Sequence, residues 1–182
     1  MQQIKQRLQD FKNLPESEYK WELLFCLLTP QSKAQKCWEA VEEIKKLDKI
    51  TEEDIKEILI RKTRFHNNKT KYVLEAINNW DKIKLKLNES DTIQLRNWLC
   101  NNVIGYGMKE ASHFLRNIGK SNNQVAILDR HILRNLKVEK IRSPKHYLEI
   151  EQLFLKKASS MKIKPDELDL LWWSQENGEI FK

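Results

Sequence analysis

The amino-acid sequence predicts an all-α protein. Apolar residues recur at helical spacing along almost the whole chain, and no stretch alternates as a strand ladder would. Breaks between the periodic segments are short. The run Leu23-Leu24-Phe25-Cys26-Leu27-Leu28 reads as a buried helix segment, far below the ~18–20 apolar residues that span a bilayer. Thr51 and Asp54 form a capping box ahead of Ile55, Ile58 and Leu59, an i, i+3, i+4 set. Between Asp91 and Cys100, Leu95, Trp98 and Leu99 make another apolar face. Ile104-Gly105-Tyr106-Gly107 is a tight hairpin into a further helix. On that helix Ala111, Phe114, Leu115 and Ile118 gather on one side, with Lys109, Ser112, His113 and Arg116 on the other. Ser143-Pro144 is an N-cap with proline at N1, followed by Tyr147, Ile150, Phe154 and Ala158 on one face; Pro165 opens the last helix in the same way. The expectation is roughly ten short helices in a compact array, not an up-down bundle.

At 182 residues the chain can bury one good-sized core or two small lobes. Hydrophobic residues at 40% and charged residues at 32% exclude a disordered chain. The net charge of +7 favours a polyanionic partner without identifying one. Cys26, Cys37 and Cys100 lack CxxC spacing, which argues against a disulfide frame, a zinc site or an iron–sulfur cluster; reduced, mostly buried thiols are expected. Met1-Gln2-Gln3-Ile4-Lys5-Gln6-Arg7 has no apolar signal core, so the expected location is cytoplasmic.

Two of the four glycines, Gly105 and Gly107, stand in the hairpin. Glycine permits positive φ and close backbone approach, and N–H groups at a helix start favour an anion. Lys109 lies in that helix's first turn, and Asp129 follows twenty residues later. A lysine there is either a solvated side chain or an amine beside a phosphate-binding turn. With a carboxylate in potential reach, the second reading suggests covalent chemistry on nucleic acid.

The hairpin segment Val103 to Ala111, followed by Asp129, resembles the helix-hairpin-helix DNA glycosylases with a catalytic aspartate. Lys109-Glu110-Ala111-Ser112-His113-Phe114-Leu115-Arg116-Asn117-Ile118-Gly119 and Ala126-Ile127-Leu128-Asp129-Arg130-His131-Ile132-Leu133 are similar to the archaeal-type 8-oxoguanine DNA glycosylase/AP lyases. Leu28-Thr29-Pro30-Gln31-Ser32, Arg64-Phe65-His66-Asn67-Asn68-Lys69, Asp169-Leu170-Leu171-Trp172-Trp173 and the terminal Lys182 extend the match over nearly the whole chain. The resemblance implies a two-lobed fold with the active site in a cleft. One lobe would run from 30 to 120, the other would comprise 1–29 plus 121–182, and the chain would act as a monomer.

The resemblance also implies roles. Lys109 would attack C1′ of the damaged nucleotide and form a Schiff base, with Asp129 orienting the amine and stabilising the cationic sugar; β-elimination would follow. An ordinary lysine holds its proton to about pH 10.4, and only the neutral amine attacks. Basic surroundings and burial favour the neutral amine, while an ionised Asp129 opposes it. Asp129 would also cap the next helix. Gly105, Gly107 and the Lys109 amide would hold a phosphate, and His131 would be either a further phosphate contact or a surface histidine. The carbonyls of Asn101, Val103 and Tyr106 would hold a monovalent cation; no cofactor would be required.

A glycosylase must take the base out of the stack. Gln31 would either fill the vacated gap or cap a helix. Phe65 would either stack on the base or pack beside Tyr72 and Val73. Asp169 and Trp173, one turn apart, suit hydrogen bonding and stacking of a purine. Lys182 would reach the base pocket with its free carboxylate, anchored by Ile180 and Phe181. The expected partner is duplex DNA containing 8-oxoguanine; the alternatives are a glycosylase for another lesion and a non-catalytic DNA-binding module.

Overall fold

The computed structural model describes residues 1–182, apart from the side chain of Asn177. Eleven α-helices and one 3-10 turn are present among the described residues: α1 (Gln2–Lys12), the turn at Glu16–Glu18, α2 (Tyr19–Leu28), α3 (Ala34–Lys45), α4 (Glu52–Lys62), α5 (His66–Asn78), α6 (Trp80–Lys86), α7 (Thr92–Asn102), α8 (Met108–Asn117), α9 (Arg130–Asn135), α10 (Pro144–Ser160) and α11 (Pro165–Asn177). α4, α7, α9 and α10 begin at a side chain that accepts a free N–H group. Thr51 Oγ1 accepts from Asp54 N at 3.2 Å, Asp91 from Gln94 N at 2.8 Å and Ser143 from His146 N at 3.1 Å.

Apolar side chains form one large and two smaller clusters. The large one joins Leu23–Leu28 of α2 to buried residues of α3 through α8. The second gathers Ala126, Leu128, Ile132, Tyr147, Phe154, Ala158, Leu168 and Trp172, on α9 to α11 and the segment before them. Ile4, Phe11 and Leu170 make the third, where α1 meets α11. All six residues of the apolar run in α2 are buried within the large cluster.

A buried ion pair crosses from the first cluster to the second. Arg96 of α7 pairs with Glu151 of α10, and Glu151 also accepts from Ala126 N at 2.8 Å. Removing one partner would leave a buried charge uncompensated. The hairpin helices are thereby tied to the segment that delivers Asp129. Cys26, Cys37 and Cys100 are free thiols, the first two fully buried. No helix among the described residues is long and apolar enough to cross a membrane.

Candidate active site

The hairpin between α7 and α8 is held from below. Val103 and Tyr106 are buried, and Tyr106 donates its hydroxyl to the Leu23 carbonyl at 2.9 Å. Gly105 has φ +89°, and a Cβ there would lie 2.6 Å from Tyr72 Cδ2 and 3.0 Å from Leu27 Cδ2. The position therefore needs glycine twice over, for its conformation and for the close approach of α5 and α2. Gly107 differs: its φ of −108° is open to any residue, and it serves as the N-cap of α8.

Lys109 stands in the first turn of α8 with its side chain 26% exposed. Its amine pairs with Glu110 at 2.9 Å, and the other Glu110 oxygen accepts from Gly107 N at 3.1 Å. One carboxylate thus occupies both the amine and the turn's N–H. Asp129, half-buried, accepts from His131 N at 2.8 Å and Ile132 N at 2.9 Å, so it caps α9 as expected. No ion pair joins Lys109 to Asp129 among the described residues; the amine rests on Glu110 instead.

The polar side of α8 is not a solvated face. Ser112, His113 and Arg116 are buried, because α8 packs against α1, α2 and α7 as well as presenting its apolar side to the core. Arg116 reaches Asp169 of α11 at 2.7 Å. Burial pushes the Asp169 carboxyl up to about 7; Arg116 pulls it down, while Asp129 and Asp166 add to the rise. Trp173, one turn on from Asp169, is half-buried. His113 lies one turn beyond Lys109, with a hydrogen bond to the Lys182 backbone and edge-on contact to Phe25. Its Nε2 has no partner, and burial holds the ring well below the usual histidine range.

The C-terminal tail is seated. Arg7 donates to the Phe181 carbonyl at 2.6 Å, and the Phe181 ring meets Phe25 edge-on. The Lys182 amine pairs with Glu22 of α2 and lies 3.2 Å from the centre of the Trp38 ring, a cation–π contact. Burial lowers its pKa, and Glu22 partly restores it. Ile180 is half-buried against the α1–α11 cluster, in keeping with its expected anchoring part.

Gln31 and Phe65 occupy the turns before α3 and α5. Both have left-handed backbones, φ 55° and 58°, at a cost of order 1–3 kcal/mol each. The cap of α3 is Lys33, so Gln31 is not a helix cap. Phe65 is 55% exposed, so it does not pack beside Tyr72 and Val73. His131 is buried, not on the surface, and its Nδ1 is taken by Glu176 of α11, which also holds Arg134 at 2.6 Å.

Comparison with known proteins settles the family. The sequence model described as 8-oxoguanine DNA glycosylase matches residues 4–163. The chain belongs to this family. It is 43% identical to the 8-oxoguanine DNA glycosylase/AP lyase of Fusobacterium nucleatum, covering 98% of this chain and 91% of that protein. The crystal structure of the Thermotoga maritima 8-oxoguanine DNA glycosylase matches with TM-score 0.88 at 33% identity, over 98% of this chain and 91% of that one. The Methanocaldococcus jannaschii 8-oxoguanine glycosylase/lyase in complex with 15mer DNA containing 8-oxoguanine matches with TM-score 0.87 at 33% identity, over 98% and 91%.

For this member of the glycosylase family, the sequence reading missed four side chains at the site. Glu110 and Arg116 were in view on α8, but the pattern could not show where they bond. Glu22 heads the apolar run, and a charge there is a signal of a buried partner. Lys69 was legible only as part of a motif; its amine, 3% exposed with its residue, donates to three oxygens of the Gln31 turn.

Proposed function

We propose that this chain is a bifunctional DNA repair enzyme that excises 8-oxoguanine from duplex DNA through a Schiff base on Lys109 and then cleaves the abasic site. The observation that carries the residue assignment is Lys109 itself, a part-exposed amine at the mouth of a glycine turn whose backbone admits no side chain at Gly105. Phosphate arriving at the Gly107 and Lys109 amides would displace Glu110 and release the amine. The neutral amine attacks C1′, the glycosidic C–N bond breaks, and its electrons leave on the base, which takes up a proton. Asp129 accepts the proton that the amine gives up and faces the cationic sugar. The sugar ring then opens as the C1′–O4′ bond breaks and O4′ takes up a proton, which leaves the imine on Lys109. Loss of a C2′ proton breaks the C3′–O bond, and hydrolysis of the imine frees Lys109.

In this reading the second cluster and the hairpin face each other across a cleft. Phe65 and Trp173 stack on the extruded base, Asp169 accepts its N–H groups, Lys182 lines the base pocket, and Gln31 fills the gap. His131 contributes to the phosphate contact through the α9 start it braces, not through a free ring. The carbonyls of Asn101, Val103 and Tyr106 would hold a monovalent cation. That of Val103 already accepts Tyr106 N at 3.1 Å, which leaves it one lone pair for such an ion.

A lesion panel tests the proposal. Duplexes carrying 8-oxoguanine opposite cytosine, an oxidised pyrimidine, or adenine opposite guanine are incubated with excess enzyme. Release of 8-oxoguanine with strand cleavage is expected, well ahead of the other two. Release of another base in its place would move the chain to a different lesion, and binding without any release would make it a DNA-binding module.

A further inference from the structure

Lys69 is buried in α5 with no carboxylate paired to it among the described residues. Its amine donates to the Leu28 carbonyl at 2.7 Å, the Pro30 carbonyl at 2.8 Å and Ser32 Oγ at 2.9 Å, which uses all three of its N–H groups. Its backbone N–H donates to the Phe65 carbonyl at 3.0 Å. Ser32 Oγ in turn accepts from Arg64 N at 3.0 Å. One residue and one hydroxyl thus join the two turns that hold Gln31 and Phe65, the pair of left-handed, exposed positions on this side of the molecule.

A buried cation without an anionic partner is expensive, and burial pushes this amine down to about 8. Packing alone would be served by an apolar side chain of similar length. Only a donor with three branches can hold the end of α2, the Pro30 carbonyl and Ser32 together. The Leu28 carbonyl also accepts from Cys37 Sγ at 3.2 Å, so the end of α2 is fixed from two helices. We infer that Lys69 is a positioning residue that locks the Gln31 turn and the Phe65 turn into one rigid unit, so that gap filling and base stacking occur in a single geometry. The use of the unit in catalysis rests on the proposed base excision; the lock itself does not.

Lys69→Met keeps the length and removes the three bonds, and Ser32→Ala removes the bridge while leaving the amine. Hydrogen exchange on free protein reads the lock. Exchange should rise together in residues 29–33 and 63–66 for Lys69→Met, and in the same segments to a smaller extent for Ser32→Ala. A rise confined to 29–33, or none, overturns it. Single-turnover assays read its use. Excision of 8-oxoguanine should slow on the order of 10²-fold, the scale of a small misplacement of reacting groups. Cleavage at a pre-formed abasic site, which has no base for Phe65 to stack on, should slow clearly less. Equal losses on both substrates would mean a merely structural residue and overturn the positioning role. Wild-type protein that releases no 8-oxoguanine would sink the proposed function, while the exchange result would still decide the lock.

Discussion

Glu110 holds the Lys109 amine and the Gly107 N–H at once, and an incoming phosphate competes for both groups. Glu110→Gln keeps a cap at the third helical position but removes a negative charge from the phosphate's path. DNA binding measured by anisotropy should therefore tighten; weaker binding would contradict this role. Asp129→Asn should bind DNA as wild type does and release base at least ~10²-fold more slowly, the scale of losing an acid–base group. Near wild-type single-turnover release would refute it. Asp169 carries a pH signature. Its carboxyl is raised to about 7 in the folded chain, by burial first, so its contribution to stability is present below the ordinary carboxylate range and is lost as pH rises through about 7. Thermal melts of Asp169→Asn should lack the decline that wild type shows across that window; parallel curves would show that this group does not titrate there. At this scale the sequence revealed residue types and spacing, which put Lys109 in the first turn of α8 and Asp129 at the cap of α9. It could not show that Lys109 would rest on its own neighbour, since a pairing at i, i+1 follows from side-chain rotation and not from periodicity.

Helices and turns were the most legible level. The caps at Thr51 and Ser143 and the prolines at Pro144 and Pro165 fall where local chemistry placed them, because a cap depends on a few adjacent residues. Why the polar side of α8 is buried has a physical reason outside the helix itself. A helix surrounded by α1, α2 and α7 buries polar groups whenever partners such as Asp169 wait for them, and those partners lie far off in sequence. The turns at Gln31 and Phe65 were illegible as conformations, since neither residue is glycine. The hairpin gives the test at this scale. Gly105→Ala meets both a positive φ and the Tyr72 ring, and should destabilise by about 1–3 kcal/mol, the usual cost of overpacking. Gly107→Ala meets only the far end of the Glu110 side chain at 3.2 Å and should cost less. Denaturant midpoints of the two variants check the order, and equal losses would contradict the distinction.

For the whole molecule, the all-α class and the family were readable from one chain. An apolar run declares that it is buried, not which cluster buries it. The tail shows the same limit. Lys182 is 160 residues from Glu22 in sequence, yet their side chains pair, and the Trp38 ring closes over the amine. Residues appended after Lys182 should reduce excision more than they lower the melting temperature, because the seat is made by side chains of α2, α3 and α8 at the edge of the main cluster. Equal effects on both would assign the tail to stability alone. The central claim is the covalent bond to Lys109, and borohydride trapping tests it most directly. Wild-type protein on a duplex with 8-oxoguanine opposite cytosine should yield a reduced adduct that peptide mapping places on Lys109, and Lys109→Gln should yield none while still binding the duplex. An adduct on another residue, or excision of 8-oxoguanine with no adduct at all, would contradict the account.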